Sequence, residues 1–229
     1  MHPIERLRFV ARSGWAGSSD LGVEAAYALA ELAEQEPAAV LPACRRLLER
    51  NPACGPLWWV SARLLCGGDP YAEATRCAEA LEDDPTEDRL DEALEGRRAV
   101  HHGGVSEVAS ADVVVIRTDA LGPTGMVVDV DDEGLLQAAV ELGAQIWAVA
   151  GVGRVLPARL WEALQGRLQI RPEPARTAAS AWFEPGLPSV SVVDLGSVAK
   201  VAGPAGVAAP ASALAAGDCP EPPELVARW

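Results

Sequence analysis

Apolar residues recur at three- and four-residue intervals over residues 20–95, then give way to short unbroken apolar runs beyond residue 110. Such a switch marks helices followed by buried strands. Leu21, Ala25, Leu29 and Leu32 share one helical face, with Asp20 placed as an N-cap. Pro37 ends that helix and starts the next, whose apolar side carries Val40, Leu41, Cys44, Leu47 and Leu48 until Asn51-Pro52 closes it. Leu57, Trp58, Val60, Ala62, Leu64 and Leu65 predict a third helix, ended by Gly67-Gly68. Asp69-Pro70, a cap followed by proline at the first helical position, starts a fourth through Ala74, Cys77, Ala78 and Leu81. Asp84-Pro85-Thr86 stops it and caps a short fifth helix through Leu90 and Leu94. Short joints between such helices predict an antiparallel bundle. A tetratricopeptide-like array is the rival, but neither its roughly 34-residue period nor its aromatic pattern is visible.

The second half reads differently. Val113-Val-Val-Ile116 is a β-branched run suited to a strand buried on both faces. Gly122-Pro-Thr-Gly125 is a turn. Asp131 to Leu142 predicts an amphipathic helix carrying Leu135, Leu136, Ala139 and Leu142, ended by Gly143. Gln145 to Ala150 is a second buried strand, followed by Gly151-Val-Gly-Arg-Val-Leu-Pro157 and a short helix through Leu160 and Leu164. Strand, turn, helix and strand at this spacing form a βαβ unit of a parallel sheet. Residues 171–189 read as a loop excursion, Val190–Val193 and Val198–Val201 as short strands, and 203–223 as a mostly irregular tail.

Composition narrows the function classes. The chain has 229 residues, 49% of them hydrophobic, and a net charge of −14. That charge argues against nucleic-acid backbones, whose neutralisation needs clustered Lys and Arg, and against anionic membranes. No apolar run reaches the roughly 18 residues of a membrane span, and no apolar signal core follows the N-terminus. The five cysteines (Cys44, Cys54, Cys66, Cys77 and Cys219) form no CxxC pair. They read as buried thiols of a cytoplasmic protein rather than a disulfide or zinc framework. Seven tryptophans stand beside two Phe and two Tyr. The adjacent Trp58 and Trp59 cannot both be buried against a single face. One of them anchors an interface or contacts the α/β part of the same chain.

Candidate chemistry is sparse. Asp119 follows the first strand, at the edge where open α/β sheets bind ligands, though a short Asp there also satisfies turn donors. Asp129-Val-Asp-Asp-Glu133 resembles a metal loop but lacks its Gly and alternation, so helix capping is the expected role. Gly151-Val-Gly153 lacks the third Gly of a dinucleotide fingerprint. Arg154 can fork onto a phosphate or carboxylate, or pair with a nearby acid. His101-His102 before Gly103-Gly104 belong to a loop, and no metal or cofactor is expected. No serine has a nucleophile-elbow context.

The stretch Ala111–Pro157 resembles the C-terminal domain of the initiation factor 2B α/β/δ subunits and their relatives, methylthioribose-1-phosphate and ribose-1,5-bisphosphate isomerases. Val113 to Ala120, ending Thr118-Asp119-Ala120, is similar to the family strand that ends in Gly-Ala-Asp or Gly-Ala-Glu. Gly122-Pro-Thr-Gly125 matches its turn, Leu135–Gly143 its helix, and Ile146–Pro157 its second strand and loop. Phe183-Glu-Pro and Val192-Val-Asp-Leu195 faintly resemble its C-terminal strand region, and the preceding helices its N-terminal domain. The resemblance implies that Asp119 stands for the isomerases' catalytic aspartate. Their phosphate-side Asn-Lys-Ile-Gly-Thr segment falls on the acidic Asp129–Glu133, and their catalytic cysteine has no counterpart between Cys77 and Cys219. About 70 residues of the family sheet are also missing before Val113.

The expected architecture is therefore α/β: a helical bundle over 1–96, then a shortened Rossmann-like parallel-sheet domain with a Pro/Ala/Gly-rich tail over 97–229. The resemblance implies a non-catalytic binding or assembly protein, a homodimer or bound to another protein partner. A small phosphorylated ligand would sit at Asp119, Gly122, Gly125 and Arg154. The alternative is a sugar-phosphate or nucleotide-phosphate isomerase-like enzyme using Asp119.

Overall fold

The structure is a computed structural model that describes Glu5 and residues 17–102, 105–170 and 190–227. From residue 17 on, five helices come first: α1 (Ser18–Gln35), α2 (Val40–Arg50), α3 (Gly55–Cys66), α4 (Pro70–Glu82) and α5 (Thr86–Leu94). The predicted caps mostly hold. Asp69 accepts a hydrogen bond from the Ala72 N–H at 3.1 Å, and Asn51 and Gly67 end their helices. Asp20 is not the N-cap of α1. Gly17 is, and Asp20 lies in the first turn, where a carboxylate complements the helix dipole. Fully buried alanines on α1 (Ala25, Ala28) and α4 (Ala74, Ala78) let these two helices pack closely. Leu29, Leu47, Leu48, Leu57 and Trp58 fill the core between helices. Each large apolar side chain so buried contributes about 1.5–3 kcal/mol.

A five-stranded sheet follows, in the order β1 (Ala99–Val100), β2 (Val113–Arg117), β5 (Gln145–Val149), β7 (Val198–Gly203), β8 (Gly206–Ala208). Its first four strands are parallel, as expected. β8 is antiparallel because a tight turn returns it directly onto β7. Alternation along β2 serves two cores. Val114 and Ile116 pack on α7 (Glu133–Leu142) through Leu135, Leu136 and Ala139, whereas Val113 and Val115 meet Leu90 of α5. Gly143 ends α7 in the left-handed conformation, at φ 69°. Leu142, expected on the buried face, is 48% exposed. It is the last residue of the helix, immediately before the Gly143 cap.

Between β2 and α7 the chain makes a hairpin, β3 (Ala120–Gly122) and β4 (Gly125–Asp129), around the expected turn. Strand β6 (Val190–Asp194) joins β4 rather than the main sheet, giving a second, antiparallel sheet of three strands. Helix α8 (Ala158–Ile170) packs Leu160, Trp161 and Leu164 into the same core as the N-terminal helices, together with Ala120 and Val127. The short α6 (Val105–Val108) lies against α7. The C-terminal stretch is more ordered than its composition suggested. After β8 come α9 (Pro210–Ala215) and α10 (Pro223–Val226), both opened by proline at the first turn.

Both neighbouring tryptophans are buried because they face different bodies. Trp58 points into the helical core and donates Nε1–H to the Pro52 carbonyl at 2.9 Å. Trp59 packs on the loop after β5 and donates to Asp218 Oδ1 at 2.9 Å, so its partner is the α/β part of the same chain. Cys44, Cys54 and Cys77 are buried as expected, but Cys66 is exposed at the end of α3. Residues 171–189, Phe183 among them, lie outside the described residues, as do Gly103, Gly104, Trp15, Trp182 and Trp229.

Candidate functional site

β2 ends at Arg117, and the chain leaves the sheet through Thr118 and Asp119 at its carboxyl edge. Thr118 stays tied to the sheet, its N–H and its hydroxyl both donating to the Val149 carbonyl at 3.0 Å. The Asp119 backbone is clamped from two sides. Its N–H donates to the Val127 carbonyl of β4 at 2.9 Å, and its carbonyl accepts from the Gly55 N–H that opens α3, also at 2.9 Å. A Cβ on Gly55 would stand 2.6 Å from the Asp119 carbonyl oxygen and 3.1 Å from the Arg154 Cα. Only a residue without a side chain permits that approach.

The Asp119 carboxylate accepts a hydrogen bond from the Ser18 hydroxyl in the first turn of α1. It also lies 3.8 Å from the Arg154 guanidinium. Arg154 is used further: Nη1 donates to the Thr118 carbonyl at 3.0 Å and Nη2 to the Ser19 hydroxyl at 2.8 Å. In this structure Arg154 is engaged within the protein. Arg117 forks onto Glu87 of α5, with Nη2 3.0 Å from Oε2. That hydrogen bonding holds the Glu87 carboxyl below its ordinary range and raises the Arg117 guanidinium.

Asp84 anchors the loop after β5. One oxygen accepts from the Thr86 N–H at 3.0 Å and the Thr86 hydroxyl at 2.5 Å; the other accepts from the Val152 N–H at 2.8 Å. A Cβ on Gly151 would lie 2.2 Å from the same carboxylate oxygen, which explains the first glycine of Gly151-Val-Gly153. Asp129 caps the turn before α7 by accepting from the Asp131 N–H at 2.9 Å, the capping role expected of that acidic run. Burial, with Asp129 close by, pushes the Asp132 carboxyl up.

These groups line a cleft of about 420 Å³. Five carboxylates (Asp84, Glu87, Asp119, Asp129 and Asp132) face two guanidiniums, Arg117 and Arg154, both already engaged. Of the four candidate residues the structure brings Asp119 and Arg154 together. Gly122 and Gly125 flank the β3–β4 turn instead, where Cβ atoms would meet the Trp161 ring at 2.1 Å and the Val193 carbonyl at 2.7 Å, and neither lines the cleft. Ser18, Ser19, Asp84, Glu87 and Arg117 were absent from the candidates. Arg117 stands two residues before Asp119, and the serines open a helical pattern, but nothing local says which strand end they meet.

Among the described residues no three His, Cys, Asp or Glu side chains are arranged to hold a metal, and His101 and His102 sit in a bend after β1. Cys54 is a neighbour that sequence separation concealed. Its thiol donates to the Ser18 carbonyl at 3.5 Å, and Asp119 and Arg154 both act on it. Burial pushes that thiol up to about 12, the opposite of a thiolate nucleophile. Burial likewise lifts Cys44 to about 11 and Cys77 to about 12.

No family model and no curated protein sequence matches the chain. Solved structures share its fold. The translation initiation factor eIF-2B of Pyrococcus horikoshii OT3 aligns with a TM-score of 0.66 over 93% of this chain and 98% of its own, at 12% identity. A chain of the tetrameric eIF2B-beta2-delta2 complex from C. thermophilum gives 0.59 over 93% and 92%, at 11% identity. The 5-methylthioribose 1-phosphate isomerase of P. horikoshii OT3 gives 0.50 over 91% and 84%, at 14% identity. At such identities the likeness is one of fold. The similarity read over residues 111–157 extends, as architecture, across most of the chain.

Proposed function

We propose that this chain is an initiation-factor-2B-related binding or assembly protein without catalysis of its own, acting as a homodimer or with another protein partner. The observation that carries this reading is the state of the Asp119 cleft. Both of its guanidiniums are engaged within the protein while five carboxylates line it. A phosphorylated sugar entering there meets repulsion and finds no unengaged cation among the lining residues. Proton transfer needs two positioned groups. The thiol beside Asp119 belongs to Cys54, buried and held near 12. Assembly is supported by the tetrameric C. thermophilum complex, one of whose chains shares this fold. Five unpaired thiols suit a reducing compartment such as the cytoplasm.

A second reading, an enzyme that uses Asp119 on a phosphorylated sugar or nucleotide, is favoured by one observation. The carboxylate lines an open cleft at the carboxyl end of a parallel strand. Thermal shift against sugar phosphates and nucleotides, with Asp119→Asn as control, separates the two. The closed cleft of the first reading expects no shift; a shift that Asp119→Asn abolishes, together with turnover of that compound, establishes the second. Light scattering after size exclusion tests self-assembly directly, and a clean monomer overturns the homodimer.

A further inference from the structure

The loop that carries Arg154 is a partition between two clefts. Arg154 faces the acidic one, Gly151 borders both, and Val152, Gly153 and Val155 line the other. The second cleft, about 340 Å³, opens at the carboxyl ends of β5 and β7, between the β7–β8 turn and the segment from α9 to Asp218. Its volume sits at the small end of ligand pockets, which run from roughly 300 to 1,000 Å³. More than half of its lining residues are glycine or alanine, so its surface is mainly backbone and methyl groups.

Charge defines what it can hold. Among the described residues Asp218 is the single ionisable side chain in the lining, and each of its oxygens accepts one hydrogen bond. Oδ1 accepts from Trp59 Nε1 at 2.9 Å and Oδ2 from Arg63 Nη1 at 2.7 Å, while Glu73 braces Arg63 from its other side at 3.3 Å. The carboxylate is thus paired with Arg63 and, 63% exposed, keeps its charge on the solvent side of the cleft. Among the described residues no lysine or arginine lines the cleft to receive a phosphate, and the net charge of −14 repels anions at a distance. A charged ligand would lose hydration with no partner in return. The rim does not suit a protein partner, whose interface needs a broad apolar surround; Ser212, Ala216, Gly217 and Asp218 are exposed, small or polar. The wall is also set in advance, since Asp84 holds the Val152 N–H and Trp59 backs Gly153.

We propose that this cleft is a second binding site, separate from Asp119, for an uncharged and largely apolar compound of one or two rings. The test titrates the full chain with indole and purine as uncharged probes and ribose 5-phosphate as the charged control, by calorimetry. Ala216→Trp and, independently, Ser212→Phe fill the cleft from exposed rim positions, with circular dichroism confirming the fold. The expected result is saturable one-site binding of a ring probe, weakened about tenfold or more by each filling variant and unchanged by Asp119→Asn. Three results would each overturn the proposal: no saturable binding of either ring probe; binding that survives both filling variants; or self-association that those variants abolish, which would make a second copy the occupant.

Discussion

The Asp119 carboxylate accepts a hydrogen bond from the hydroxyl of Ser18, 101 residues earlier in the chain. Arg154 reinforces the same junction, reaching Asp119 with one nitrogen and the Ser19 hydroxyl with the other. The carboxylate therefore joins the first helix to the edge of the sheet. A double-mutant cycle of Ser18→Ala and Asp119→Ala, followed by urea unfolding, is expected to show a coupling of about 1–3 kcal/mol. Additive effects would show that the contact contributes nothing.

Gly151 and Asp84 form a second long-range pair. Gly151→Ala places a methyl against the Asp84 carboxylate and is expected to cost about 1–3 kcal/mol, as overpacking does. In an Asp84→Ala background the same substitution should cost markedly less, because the obstructing oxygen is gone. Equal costs in both backgrounds would mean that the loop adjusts freely.

Gly122 is predicted to be a packing residue. Its missing Cβ makes room for the Trp161 ring, whose Nε1–H donates to the Thr124 hydroxyl at 2.9 Å. Gly122→Ala should lower the urea midpoint, and Trp161→Leu should relieve part of that loss. A Gly122→Ala protein of unchanged stability would remove this role.

Two cleft carboxyls should respond to pH with opposite signs. Glu87 is held low in the folded state by Arg117, so its contribution is present above its unfolded value of about 4.3 and fades as pH falls through the folded value. Asp132 is held high by burial, so it favours the folded state below about 3.9 and becomes a cost as pH rises through its folded value. At pH 7, Glu87→Gln is therefore expected to lower the melting temperature and Asp132→Asn to raise it. Both differences should shrink in acid. Effects of the same sign at pH 7 would contradict this assignment.

Much of the local structure was legible in residues. Asp69-Pro70, Gly67 and Gly143 each punctuate a helix where capping chemistry says they should, and Val113–Ile116 is the doubly buried strand its β-branched run implied. What stayed hidden depends on pairing over distance. Met126-Val-Val is a strand because β6 lies beside it more than sixty residues later. The Ala-rich tail is ordered because Ala213 and Leu214 find an apolar surface near β7. At the site, strand position alone located Asp119. Its partners Ser18, Cys54 and Arg154 come from separate elements, and no local pattern encodes their meeting.

The most direct test of the central proposal is calorimetric titration of the intact protein with 5-methylthioribose 1-phosphate and ribose 1,5-bisphosphate. With the cleft cations already engaged and five carboxylates around them, neither sugar phosphate is expected to give saturable heat at millimolar concentration. Saturable binding that Asp119→Asn abolishes would contradict the account of a cleft closed to sugar phosphates, and turnover of the bound sugar would overturn the non-catalytic reading.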